Sequence, residues 1–357
     1  MSRSRVNAVT MLVCLLTISA AALWAPAGAA EKDKLSLGVA LPPHAAGQQG
    51  QQKLDLAFCS QLLCVIPFEV ARAKGFFAEE GLDVELIYMK GGPPAVTALQ
   101  TKSVDFIGTT MDLVVKSTAG GKRIVMVAST SRLPFFGLVV APGEAARIKS
   151  PEHLVGKKVG VGNLGATDHL LVQLLLRKSG IDPEKVSFVA LGPNTLQTLL
   201  DGQVEAAMVQ EPALTLASRK GARVLVNFMD RHQAQSILGG QYQFMGLITR
   251  PEVIADKPAL VQRMTNAIVK ANRFITTESG PTIAALMPES LLVGGDPALL
   301  GEILDQFKGH LYPADGKIQS EDVARVLEAQ RTSGLLPKAG GPDHTLLFTN
   351  EFVERSR

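Results

Sequence analysis

Cysteine, tryptophan and histidine are scarce in this chain: three, one and six among 357 residues. The histidines, at 44, 153, 169, 232, 310 and 344, form no H-E-x-x-H pair. That excludes the helical zinc-hydrolase pattern, which needs two imidazoles one turn apart. Cys59 and Cys64 lack a second pair to complete a tetrahedral zinc site, so no metal is expected. No G-x-S-x-G elbow is present to expose a serine nucleophile. Charge of one sign is also missing: 36 Lys+Arg stand against 33 Asp+Glu, a net +3 with no basic run. Nucleic-acid binding needs a clustered basic face, so no such partner is expected. After residue 30 no apolar stretch reaches the roughly 18 residues of a membrane span. The single tryptophan, Trp24, lies before that point. Sugar sites favour an indole face for stacking, and the rest of the chain has none.

What is present is a globular composition, 46% apolar and 19% charged, long enough for about two domains. Residues 1–30 read as a secretory leader: Arg3 and Arg5, an apolar stretch from Val9 to Ala25, a break at Pro26, then Ala27-Gly28-Ala29-Ala30. Cleavage is expected just before Ala30 or Glu31, giving an exported, periplasmic chain. Residues 31–52 are Gly/Gln/Pro-rich and aperiodic, a mobile leader.

From Lys53 strands and helices alternate. Strands are expected at 54–58, 84–89, 104–108 and 123–128, with helices opening at Ile66-Pro67, at Gly91-Gly92-Pro93-Pro94 and near Met111. The pattern restarts near Ser150, with strands at 157–161 and 186–191 and a helix opening at Gly165-Ala166-Thr167. Thr198–Met208 echoes Ala98–Gly108 at an offset of one hundred residues. Such alternation predicts mostly parallel sheets, and the echo predicts two related lobes. A strand at 244–249, a long helix at 258–277 and two shorter helices follow, packing back on the first lobe.

Ligands sit beyond the carboxyl ends of parallel strands. The candidate contacts are therefore Cys59, Ser60 and Gln61, Gly91 and Gly92, Thr109 and Thr110, Gly165, Ala166, Thr167 and His169, and Gln210 and Glu211. Several open helices, whose unpaired N–H groups and positive end suit a carboxylate, sulfonate or phosphate. Each has a plainer reading. The glycines can serve turn geometry, Thr109 and Thr110 can cap a helix, and Glu211 can hold the hinge or join the lobes. Phe135 and Phe136 read as core. Cys59 and Cys64 form a disulfide, or stay as two thiols; five residues apart, they cannot bridge within a regular helix. Gly160-Val161-Gly162-Asn163-Leu164-Gly165, with Asp182 downstream, has the form of a dinucleotide fingerprint. Its place in the second lobe of an exported repeat argues against that, and no cofactor is expected.

The run Ala71-Arg72-Ala73-Lys74-Gly75-Phe76-Phe77-Ala78-Glu79-Glu80-Gly81-Leu82-Asp83-Val84-Glu85-Leu86 resembles the opening of nitrate/sulfonate/taurine-type solute-binding proteins, a group that includes binders of thiamine's pyrimidine precursor. The similarity continues through Val104-Asp105-Phe106, Leu154–Val161 and Gln210-Glu211-Pro212. The resemblance implies an α/β, bilobal periplasmic-binding-protein fold of type II, two parallel-sheet lobes joined by two crossovers near 141–144 and 235–241. Lobe 1 is then 53–143 plus the return at 239–357, and lobe 2 is 144–238. It further implies a monomeric binding subunit of an ABC importer. Such a subunit holds a small organic ligand, expected to be anionic, and docks on an inner-membrane permease with a cytoplasmic ATPase. The cysteine pair departs from the family pattern at that loop, and the cysteine-rich run of the pyrimidine-making relatives is missing. A sensor subunit for a membrane receptor, and a cleft enzyme pairing Cys59 with His169, are the other classes weighed.

Overall fold

The structure is a computed structural model that describes residues 50–59, 62–292 and 296–356. The secretory leader, its cleavage site, Ser60 and Gln61 lie outside the described residues. Two five-stranded sheets form the frame. The first contains β1 (Gln52–Cys59), β2 (Leu82–Met89), β3 (Phe106–Thr110), β4 (Val125–Ser129) and β10 (Met245–Thr249), in the order β2-β1-β3-β10-β4. The second contains β5 (Phe136–Val140), β6 (Lys158–Val161), β7 (Ser187–Ala190), β8 (Ala206–Gln210) and β9 (Arg223–Asn227), in the order β7-β6-β8-β5-β9.

The sheets share one plan. β1 runs parallel to β2 and β3, as β6 does to β7 and β8. An antiparallel strand then enters each sheet, β10 between β3 and β4, β5 between β8 and β9. β3 and β8 sit third in their sheets and keep the hundred-residue offset of the sequence echo. Both antiparallel strands are the first after the chain changes sheet. β5 and β9 were not foreseen as strands. Phe136-Gly137-Leu138-Val139-Val140 is buried throughout and has no polar alternation to reveal its period.

The first passage between sheets falls between Ser129 and Phe136, earlier than the expected 141–144, because β5 already belongs to the second sheet. The second falls between Asn227 and Met245. The two passages are tied side by side. Tyr242 N donates to Arg132 O at 2.9 Å and Phe244 N to Ser131 O at 3.0 Å. Phe135, Phe136 and Phe244 stack edge to face there, with centroids 5.2 and 6.0 Å from Phe244.

The helix expected to open at Ile66-Pro67 begins at Leu62 and runs to Ala73, with Pro67 inside it. Proline has no N–H for the carbonyl of Leu63, one turn back. The Tyr312 hydroxyl takes that carbonyl instead, at 2.9 Å, so the C-terminal region repairs the ladder the proline breaks. The Pro258–Thr277 helix packs on Leu62–Ala73. The Ser320–Thr332 helix rests on helices of both sheets, Met111–Ala119 and Thr167–Lys178, rather than on the first lobe alone.

Candidate functional site

The carboxyl ends of β1, β2, β3 and β6 converge on a cavity of about 50 Å³. Its wall includes Cys59, Cys64, Gly91, Gly92, Thr109, Thr110, Ala166 and Thr167, all but Cys64 among the expected contacts. Pro93, Leu113, Phe136, Gly162, Asn163, Asp168 and Phe244 complete it. A larger, open groove of about 880 Å³ lies elsewhere, between the Thr167–Lys178 and Ser320–Thr332 helices, lined by Arg177, Asp182, Glu328, Arg331 and Lys338. It faces no strand end.

The two glycines do different work. Gly91 has φ +103°, a backbone state that L side chains rarely adopt. Gly92 has no such need. A Cβ there would stand 2.5 Å from Leu113 Cδ1 and 2.7 Å from Thr109 Oγ1, so only a bare backbone lets these side chains close the floor. Gly92→Ala is expected to cost about 1–3 kcal/mol by overpacking, read as a lower denaturant midpoint. An unchanged midpoint would show that Leu113 and Thr109 yield freely.

Across the rim, Thr167 Oγ1 lies 3.1 Å from both Thr110 Oγ1 and Asp112 Oδ2, joining the start of one sheet's helix to the start of the other's. Neither Thr109 nor Thr110 caps a helix: Thr110 is the N-cap residue with no side-chain bond to the first turn. Thr109 is 1% exposed, and its hydroxyl has no partner among the described residues. Asp112 is buried. It accepts from Tyr242 and Thr167, while Gln330 Nε2 donates to its carbonyl at 2.8 Å. Burial lifts its carboxyl to about 6, against the pull of those hydrogen bonds. Burial lifts Asp168 to about 6 as well; its carboxylate accepts from Gly162 N and shapes the β6 loop.

Four expected contacts do not line the cavity. Gly165 N donates to His169 Nδ1 at 3.0 Å, and the His169 ring meets Phe188 at 4.5 Å. Burial lowers the His169 pKa, so the imidazole is a neutral prop for its own loop. Both Glu211 oxygens bind Thr215, the N–H and the hydroxyl each at 3.0 Å, within the second lobe. Gln210 reaches the site through Cys64, whose Sγ lies 4.0 Å from Gln210 Oε1.

No disulfide joins Cys59 and Cys64. Cys59 ends β1, and Cys64 sits in the first turn of the next helix, turned to Gln210 and Cys59. Burial and the neighbouring Cys59 push the Cys64 thiol well above its usual pKa, which suits a packed thiol and not a nucleophile. Thiol titration of a denatured, unreduced chain beginning at Glu31 is expected to find two thiols; a count near zero would restore the bridge.

Asp112, Asp168 and Tyr242 were missed. A carboxylate just after a helix-opening residue, in Thr110-Met111-Asp112 and Ala166-Thr167-Asp168, was the available signal.

Residues 64–278 match the family described as NMT1/THI5 like. That is more than half of the chain. The chain belongs to this family. It is 22% identical over 297 residues to YtlA of Bacillus subtilis, named as a binding protein, covering 80% of this chain and 85% of YtlA. It is 27% identical over 144 residues to a 4-amino-5-hydroxymethyl-2-methylpyrimidine phosphate synthase of Saccharomyces cerevisiae, covering 40% and 41%. Among solved structures, a Bordetella bronchiseptica protein superposes with a TM-score of 0.78 at 27% identity, over 86% of this chain and 97% of that one. The alkanesulfonate-binding protein SsuA of Xanthomonas axonopodis, solved with MOPS, gives 0.65 at 17% over 84% and 98%. The fold of this NMT1/THI5 like protein is thus the type II fold of ABC-importer solute-binding proteins.

Proposed function

We propose that this NMT1/THI5 like protein is the exported solute-binding subunit of an ABC importer. It captures a small organic molecule between its two sheets and delivers it to a membrane permease. One observation carries the reading. The cavity is walled by strand ends and helix starts from both sheets, and the Thr167 hydroxyl closes its rim onto Thr110 and Asp112. Contacts of that kind exist only when the lobes meet, so a ligand that fills the cavity favours the closed state. The same placement supports capture and release: no histidine lines the cavity among the described residues, and its thiols are buried. The lobes on this reading are 53–143 with 239–357, and 144–238, the short 136–140 strand moving to the second. Secretion would remove the first 29 or 30 residues.

The test is uptake. Cells lacking the gene should lose import of whichever compound the purified protein retains, and the exported chain should begin at Ala30 or Glu31 by intact mass. Normal uptake in the deletion strain, or turnover of the retained compound by the pure protein, would overturn the proposal.

A further inference from the structure

The sequence leads one to expect an anionic ligand held by helix starts. The geometry points to the opposite charge class: we propose that the cavity takes an uncharged or cationic molecule with an apolar face and a hydrogen-bonding group directed at Thr109. This rests on the solute-binding reading and specifies its ligand.

Three helix starts border the cavity, and each has lost part of what would draw an anion. The Gly92–Gln100 helix has prolines at 93 and 94, which carry no N–H. At the Met111–Ala119 helix, Met111 N already donates to Phe244 O at 2.7 Å, and Asp112 places a carboxylate in the first turn. Just before the Thr167–Lys178 helix, the approaching backbone is already engaged: Ala166 N donates to Asn163 O at 3.2 Å and Gly165 N to His169 Nδ1 at 3.0 Å. Asp168 adds a second first-turn carboxylate and itself lines the cavity. A carboxylate in the first turn offsets the positive end that attracts anions.

Nothing replaces that lost attraction. No Lys, Arg or His lines the cavity among the described residues. Lys116 touches only the rim, exposed, with Nζ 3.5 Å from Gly165 O. An anion entering here would lose its hydration without gaining a cation, and would face the carboxylates of two first turns. Phe136, Phe244, Leu113 and the two thiols offer an apolar wall instead. Thr109 supplies the second, independent sign of a ligand. Thr109 is one of the lining residues, and its hydroxyl, buried beneath Gly92, has no partner among the described residues, a state that costs free energy until something meets it.

The test uses the mature protein and a small-molecule extract of the cells that make it, split at neutral pH on a quaternary-ammonium resin. Melting temperature is read with each fraction. The flow-through, which holds neutral and cationic compounds, should raise it; the salt eluate, which holds anions, should not. Stabilisation by the eluate instead would overturn the charge assignment and leave the solute-binding reading standing. Silence from both fractions would sink the solute-binding reading itself. Thr109→Val then tests the position. Affinity for the flow-through compound should fall about tenfold, equivalent to about 1.4 kcal/mol, while the ligand-free variant melts no lower than the native chain. Undiminished affinity would show that the ligand does not use Thr109.

Discussion

Phe244→Ala should destabilise the protein by about 3–5 kcal/mol, the usual cost of deleting a buried phenyl ring. Phe244 is fully buried on the second passage between the sheets. Its ring meets Phe135 and Phe136 from the first passage edge to face, and its backbone bonds Ser131 and Met111. The ring also walls the cavity. Its loss therefore loosens the two passages from each other and opens the site at once. Equilibrium denaturation measures the first effect, and binding of the retained compound the second. Phe244→Leu, which keeps most of the volume, should restore much of the stability. A loss below about 1 kcal/mol for Phe244→Ala would mean that backbone pairing alone holds the passages together.

The second large effect is in pH. Asp112 and Asp168 have folded pKa values of about 6, raised by burial, against about 3.9 for an unfolded aspartate. Between those values the native chain binds more protons than the unfolded one. Stability must therefore fall as pH rises from about 4 through about 6, and it recovers on acidification over the same window. His169 and His310, whose pKa values are lowered by burial, act the other way as pH falls below their ordinary range. Asp112→Asn isolates one carboxyl. Asparagine keeps an acceptor for Tyr242 and offers an N–H toward Thr167, much as the protonated acid does. Relative to the native chain, the variant should gain on the order of 2 kcal/mol between about pH 4.5 and pH 7.5. Parallel stability curves for the two proteins would place the Asp112 pKa near its ordinary value.

The sequence made the frame readable where burial alternates or glycine and proline punctuate. The long helix appears at Pro258–Thr277 as expected, and β3 and β8 keep the offset of the echo. It failed where a segment is buried on both faces, as in β5, and where a distant group repairs a local defect. Pro67 looks like a helix opening until Tyr312 is seen to occupy the Leu63 carbonyl. The site shows the same division. Strand ends predicted Gly92, Thr109 and Thr167, because topology alone puts them at the cleft. Topology does not say which N–H groups are already used. The partners of Gly165, His169 and Glu211 are local groups, and these decide that three residues expected to hold a ligand serve their own loops.

The insertion of β10 between β3 and β4 sets an order of assembly. The second sheet uses residues 136–227 only and can close as soon as that segment has emerged. The first cannot: β3 and β4 each present an open edge until residues 245–249 arrive, more than a hundred residues after β4. Unpaired edges of that kind invite pairing with other chains. A chain crossing a membrane from its amino end would thus carry a finished lobe beside an exposed one, and chaperone protection would matter most in that interval. Protease applied to a chain truncated after Leu238 should spare 136–227 and digest 52–129; equal resistance of both would show that the first sheet closes without β10.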